Sequence, residues 1–412
     1  MRNMISRFGT RLVLMCGIMS RMKNARRGIG ILLGCLIAFA GARAEPAARP
    51  VVRWGEAIDL GPGGYARIRP LADGRLMAAY ERGGDMIVRF APRGDIHHWT
   101  PPRPAARHFT ATNGTKTARV SLANAEFAQL ETGRIILATN LRPKDPNVHP
   151  FAIGFVTSDD SGATWSPLKV IYRCADVGDG ICRGCYEPFV LPQKGATAHI
   201  YFADESPYTE GGTHKYQNIS LLETSDGGAT WSPDPRIVSY TPRRRDGMPV
   251  VIELGVWRYL AIESNPGRTR LHPQIVRTRL ADNWRETVGA PSPDRFDLLL
   301  EKCRDWTHIS GGAPYIAATE NYVLLSWQER TGRQHLSLDF PIARVAAASK
   351  KELCEGTFPT IFDLSTPPGV TEGKDKMLWN SLCALGGDTF LLVSQCNGRV
   401  TLGLQGDPTS PF

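Results

Sequence analysis

One eight-residue pattern occurs twice in this chain and constrains its fold more than any other feature. Ser158-Asp159-Asp160-Ser161-Gly162-Ala163-Thr164-Trp165 and Thr224-Ser225-Asp226-Gly227-Gly228-Ala229-Thr230-Trp231 keep Asp, Gly, Thr and Trp in register, and Ser-Pro follows both copies. A stretch that recurs with its turn residues aligned marks a structural unit used more than once. The residue types suit a tight hairpin turn. Asp160 and Asp226 can accept backbone N–H groups inside the turn, and the glycines supply positive φ. Trp165 and Trp231 can then plug the turn against adjacent strands.

The first residues have a different character. Arg26-Arg27 precede an apolar run from Ile29 to Ala40, and Ala42-Arg43-Ala44 fits a small-x-small cleavage site. That is the pattern of a secretory signal, too short and wrongly flanked for a membrane anchor. The expected boundaries are a signal segment at 1–44 and a single domain at 45–412. Residues 1–44 hold eight of the 49 Lys and Arg and none of the 40 acids, so the remainder carries 41 basic against 40 acidic groups. The pI near 9.1 therefore comes mostly from the leader. Neither a nucleic acid nor an anionic membrane is expected as a partner. Seven of the nine cysteines follow residue 44. In an exported protein, periplasmic or secreted, they argue for disulfides, and a bridge involving Cys174, Cys182 or Cys185 is favoured over zinc.

Strands dominate what remains. Short β-rich runs such as Arg75–Tyr80, Ile135–Thr139, His199–Phe202 and Val323–Trp327 alternate with Gly, Asn and Asp turns. No sustained 3.6-residue apolar period appears. The two repeats lie 66 residues apart (226 − 160), and removing residues 1–44 from 412 leaves 368. That length divides into six units of about 61 residues. The expected fold is all-β, a six-bladed β-propeller, with blades near 62–100, 118–172, 183–238, 246–287, 307–350 and 376–406. The run Val51–Leu60 is expected to join the last blade and close the ring, which removes a free edge.

The repeat resembles the Asp box of sialidase-type propellers, where the motif lies on outer strands and performs no chemistry. Other segments extend the likeness: Tyr65–Leu71, Asn124-Ala125-Glu126-Phe127, Thr139-Asn140-Leu141-Arg142, Tyr186-Glu187-Pro188-Phe189, Phe202–Ser206, Arg245–Pro249, Ala261-Ile262-Glu263-Ser264, Gly312-Ala313-Pro314-Tyr315, Trp327-Gln328-Glu329-Arg330 and Trp379–Leu382. In this order they resemble glycoside hydrolase family 93, the exo-acting α-1,5-L-arabinanases of the sialidase-like superfamily. The resemblance implies an axial pocket and two catalytic glutamates, one in the Glu-Pro-Phe segment and one on the inner strand of the next blade. Here these are Glu187 and Glu263.

The residues support the pair independently. Glycoside hydrolysis needs one carboxyl to protonate the leaving oxygen and a second to attack or to activate water. Glu263 ends an apolar strand where an unpaired charge is costly, and the apolar neighbours of Glu187 can raise a carboxyl pKa. Arg67, Arg142, Asp204, Glu205, Asp246, Gln328 and Trp379 are the candidate substrate contacts, and Trp306 or Tyr315 could also stack on a sugar. A sialidase would hold a substrate carboxylate with arginines, of which Arg67 or Arg69 could be the first and Arg245 or Arg330 another. Sialidases also use a late tyrosine, and this chain has none after Tyr322. The resulting expectation is an exo-acting glycosidase, monomeric, with no metal and no cofactor. A divergent sialidase and a non-catalytic glycan- or protein-binding propeller are the alternatives.

Overall fold

The computed structural model describes residues 52–174, 181–208, 216–265, 270–296, 309–331, 342–354, 363–365 and 374–407. The expected signal segment, Cys303 and Trp306 lie outside the described residues. The strands form six antiparallel sheets, the blades of a β-propeller. β1 (Arg53–Trp54) and β2 (Ile58–Pro62) precede the first blade, which comprises β3 (Gly64–Pro70), β4 (Arg75–Arg82), β5 (Asp85–Pro92) and β6 (Arg103–Ala106). The second holds β7 (Phe109–Asn113), β8 (Lys116–Gln129), β9 (Ile135–Pro143), β10 (Ala152–Ser158) and β11 (Lys169–Arg173). The third is β12 (Cys185–Pro192), β13 (Ala198–Asp204), β14 (Asn218–Thr224) and β15 (Arg236–Ser239). The fourth is β16 (Asp246–Leu254), β17 (Trp257–Ser264), β18 (His272–Arg279) and β19 (Arg295–Phe296). The fifth is β20 (Ile309–Ala318), β21 (Tyr322–Thr331), β22 (Ile342–Ser349) and β23 (Asp363–Ser365), and a short helix, α1 (Lys350–Cys354), follows β22.

The sixth blade contains β24 (Met377–Gly386), β25 (Thr389–Cys396) and β26 (Arg399–Asp407), and both β1 and β2 pair with β26. The two ends of the described chain therefore share one sheet, and the ring closes without a free edge on that blade. The axial strands β3, β8, β12, β16, β20 and β24 contact one another in sequence, and β24 returns to β3. Strands behind them are covered on both faces by neighbouring blades, so they read as continuous apolar runs. Leu76 to Tyr80, Ala198 to Ala203 and Tyr259 to Ile262 are buried at every position.

The two repeat turns pin blades together at their outer strands. In the first, Thr164 donates its backbone N–H to Asp160 Oδ1 (2.8 Å), and Gly162 N–H donates to Ser158 Oγ (2.8 Å). Asp226, Thr230, Gly228 and Thr224 repeat the arrangement. The threonine hydroxyl and the turn N–H groups hold both aspartates well below the ordinary carboxylate range, Asp160 at about 2. Each turn packs on the preceding blade. A Cβ at Gly162 would meet Phe90 Cζ at 2.6 Å, and Trp231 packs edge-on against Phe155 at 5.5 Å. Gly162→Ala, at φ +83, is expected to cost about 2–4 kcal/mol by denaturant melting, from backbone strain plus overpacking. Gly133→Ala, at φ +89 with nothing within 4 Å, is expected to cost only the backbone part, about 1 kcal/mol. Equal losses at the two sites would contradict the pinning role.

Two expectations change. Among the described residues no disulfide joins Cys174, Cys182 and Cys185, and all three are free thiols there. Burial, with Cys174 alongside, pushes the Cys185 thiol well up. Glu263 lies on β17, the second strand of its blade, and not on the inner strand. Its side chain reaches past Gly247, the β16 residue paired with it. A Cβ there would come within 3.2 Å of Glu263 Oε1.

Candidate active site

All six axial strands break register at the same place. Each pairing with its neighbour shifts, between Gly64 and Arg67, Ala123 and Glu126, Tyr186 and Phe189, Gly247 and Val250, Gly312 and Tyr315, and Leu378 and Ser381. The extra residue at each break has positive φ although none is glycine: Tyr65, Asn124, Glu187, Met248, Ala313 and Trp379, with φ between 47 and 58. A β-bulge in the left-handed conformation re-aims the side chain and releases a backbone N–H from the ladder. Repeated six times, it builds a crown at one end of the axis. Tyr65, Met248 and Ala313 form a buried cluster with Trp379 packed against it. Tyr65 and Met248 come from opposite blades, the first and the fourth, so the cluster lies on the axis.

The released N–H groups are claimed by neighbouring blades. Asn124 N–H donates to Glu81 Oε2 (2.9 Å), Ala313 N–H to Glu263 Oε2 (2.9 Å) and Trp379 N–H to Gln328 Oε1 (3.1 Å). Glu81, Glu263 and Gln328 hold equivalent places, each opposite the residue before a crown residue. In the third blade that place is Ala203, which has no acceptor side chain. There Glu187, itself a crown residue, accepts the Met248 N–H at 2.9 Å. Glu187 and Glu263 are thus fixed by backbone donors of successive blades, which leaves each a second oxygen for other partners.

The electrostatics distinguish the two carboxyls. Burial first, then the negative charge of Glu263, raises the Glu187 pKa to about 7. Arg245 and Arg142 pull the other way. Arg245 Nη1 donates to Glu205 Oε1 (3.0 Å), and its Nε lies 3.9 Å from Glu263 Oε1. Glu205 also accepts from Gly184 N–H (3.1 Å). A carboxyl that holds its proton to about pH 7 beside a second carboxyl is an arrangement that can divide acid and base roles between two similar groups.

Other expected contacts fall in different places. Arg142, Gln328 and Trp379 stand at or beside the crown, with Trp379 partly exposed. Glu205 is paired with Arg245. Arg67 lies one layer below, 2% exposed, and donates to Glu126 Oε2 (3.2 Å) and the Trp379 carbonyl (3.0 Å). Asp204 is fully buried and accepts from Tyr172 and Ser206. Both oxygens of Asp246 are taken by Arg295. Tyr315 is buried in the layer below the crown, against Phe189. Sequence reasoning missed the crown as such, and it missed Gln217. That amide is fully buried and has no hydrogen-bond partner among the described residues, and its Oε1 lies 2.8 Å from the point where a Gly247 Cβ would sit, close to Glu263. At the opposite end of the axis a cavity of about 470 Å³ is lined by Ile68, Ile252, Ile316 and Leu382, and neither carboxylate reaches it. Among the described residues no His, Cys, Asp and Glu group is placed to hold a metal.

The architecture matches known enzymes. An α-L-arabinanase of Penicillium chrysogenum complexed with arabinobiose superposes with TM-score 0.57 at 18% identity, covering 87% of this chain and 99% of that one. A family 93 α-L-arabinofuranosidase of Fusarium graminearum with arabinobiose gives 0.55 at 14%, covering 86% and 97%. The shared fold is the six-bladed β-propeller. A Hadza microbial sialidase shares the propeller at TM-score 0.52 and 14% identity, covering 84% of this chain and 65% of that one. At such identities the likeness describes the fold. No protein-family model matches the chain, and no curated protein sequence matches it.

Proposed function

We propose that this propeller is an exported, exo-acting glycoside hydrolase in which Glu187 is the general acid and Glu263 its nucleophile or base. The observation that carries the reading is the shared crown, where Glu263 and burial together keep Glu187 neutral up to about pH 7. The structural neighbours named as arabinanase and arabinofuranosidase favour a carbohydrate substrate, and the leader-like sequence favours export. The sialidase alternative calls for first-blade arginines open to a carboxylate. Here Arg67 and Arg69 both donate to Glu126. Incubation with a panel of arabinan oligosaccharides, sialyllactose and plant and bacterial polysaccharides, followed by product chromatography, tests the reading. Release of single terminal sugars supports it, and inertness across the panel overturns it.

The pH dependence has a definite sign. The acid must be protonated, so kcat/KM is expected to fall as pH rises through about 7. Removing the Arg245 charge with Arg245→Gln removes a group that lowers this pKa, so the alkaline limb is expected to move upward. The same shift affects stability. The native state holds a proton between the ordinary 4.5 and about 7, so stability falls as pH rises across that window. Glu187→Gln is expected to abolish that part of the slope.

A further inference from the structure

The guanidinium groups around the crown differ in one respect, namely whether a carboxylate already neutralises them. Arg67 and Arg69 share Glu126, Arg245 is paired with Glu205, and Arg295 with Asp246. Arg142 is held by neutral amides instead. Its Nε donates to Asn140 Oδ1 (2.6 Å) and its Nη2 to Asn124 Oδ1 (2.6 Å). Among the described residues it makes no ion pair. Both amides are themselves fixed: Asn124 is a crown residue at φ 54, and Asn140 Nδ2 donates to the carbonyls of Ala152 and Cys185. Two of the five guanidinium donors are spent on orientation, which leaves a preorganised cation with three N–H groups still to place.

Arg142 borders a cavity of about 560 Å³ between the sixth, first and second blades. Glu81, Arg82, Trp379 and Gln395 share its wall with bare glycine backbone at Gly63, Gly64, Gly83 and Gly84. Gly64 admits no side chain: a Cβ there would overlap Gln395 Oε1 at 2.1 Å. Two arginines, Arg82 and Arg142, stand on this wall against the single carboxylate of Glu81, which biases the cavity toward an anion. Trp379 supplies an aromatic face of the kind that packs on sugar rings. Arg142 also acts electrostatically on Glu187, whose pKa it lowers, so one side chain links the cavity wall to the carboxylate pair.

We propose that this cavity is a subsite for an acidic sugar whose carboxylate is bound by Arg142. The proposal rests on the glycosidase reading and narrows its substrate to glycans bearing a carboxylate next to the cleaved bond. A uronic acid and a sialic acid both supply that group, and planar two-point bonding to a guanidinium is the chemistry they share. Neutralising Arg142 with the substrate's own charge would also raise the Glu187 pKa, so its proton is retained to higher pH once an acidic sugar is in place.

The test measures binding, so it does not depend on turnover. Using the full mature chain carrying Glu263→Gln, calorimetric titrations would compare galacturonate- and glucuronate-terminated disaccharides, sialyllactose and neutral arabinobiose. The expected result is about tenfold or greater preference for a carboxylated ligand, weakened by added salt. Arg142→Met is expected to abolish the preference, and Arg142→Lys, which keeps the charge, to restore part of it. Whichever acidic arm binds identifies the source of the carboxylate. Equal binding of the neutral ligand, no binding by any ligand, or a preference that survives Arg142→Met overturns the proposal. Failure of the glycosidase reading shows separately, as carboxylate-selective binding by a wild-type protein that hydrolyses nothing.

Discussion

Glu187→Gln is expected to lower turnover by about 10²–10⁴-fold, the usual contribution of a positioned proton donor, while the thermal unfolding curve barely moves. The two readouts separate because glutamine keeps an acceptor oxygen. Its amide carbonyl can still take the Met248 N–H that Glu187 Oε2 accepts at 2.9 Å, so the link between the third and fourth blades survives. Glu263→Gln is expected to behave in the same way, since the Ala313 N–H keeps its partner. Truncation is a different experiment. Glu263→Ala leaves that buried N–H unsatisfied and should add a stability loss of about 1–3 kcal/mol. Full activity in both glutamine variants would remove the pair from the chemistry and leave only its linking role.

Glu126→Ala is expected to produce the largest stability loss of any single change near the axis, about 3–5 kcal/mol by denaturant unfolding. Glu126 is 1% exposed and accepts from both Arg67 (Nε, 3.2 Å) and Arg69 (Nη2, 2.8 Å). Removing it strands two cations in the layer directly beneath the crown. Arg67 is itself 2% exposed, stacked over Tyr65 at 3.9 Å. The loss should come from the uncompensated charges and not from the missing contact. Arg67→Met combined with Glu126→Leu is therefore expected to recover much of it. A loss under about 1 kcal/mol in Glu126→Ala would mean that water reaches this layer and screens it.

The blade count and ring closure were legible because they depend on pattern. Two turn motifs in register set the period, and apolar runs separated by Gly and Asp turns set the strands. The site was legible only in part. Glu187 and Glu263 stood out as acids in apolar company, but the side chain of Glu263 arrives from the second strand, over a glycine. Strand periodicity alone does not give that reach. The crown has no sequence signature, since Tyr65, Asn124, Glu187, Met248, Ala313 and Trp379 share no residue type. What they share is a backbone conformation imposed by six equivalent strands meeting at one axis. Asp204 and Asp246 looked like sugar contacts by type. Tyr172 and Ser206 occupy the first and Arg295 the second, and such partners become visible only once the blades are assembled.

Two carboxyls meet at the crown, and burial together with the charge of Glu263 holds the proton on Glu187. Carbon-13 labelling of the glutamate side chains, with Glu187 assigned by its Gln variant, reads that directly as a titration. The prediction is a Glu187 midpoint near 7 in the otherwise unaltered protein, and a clear fall when Glu263→Gln removes the neighbouring charge. A midpoint in the ordinary glutamate range of about 4.3, unmoved by Glu263→Gln, would contradict it.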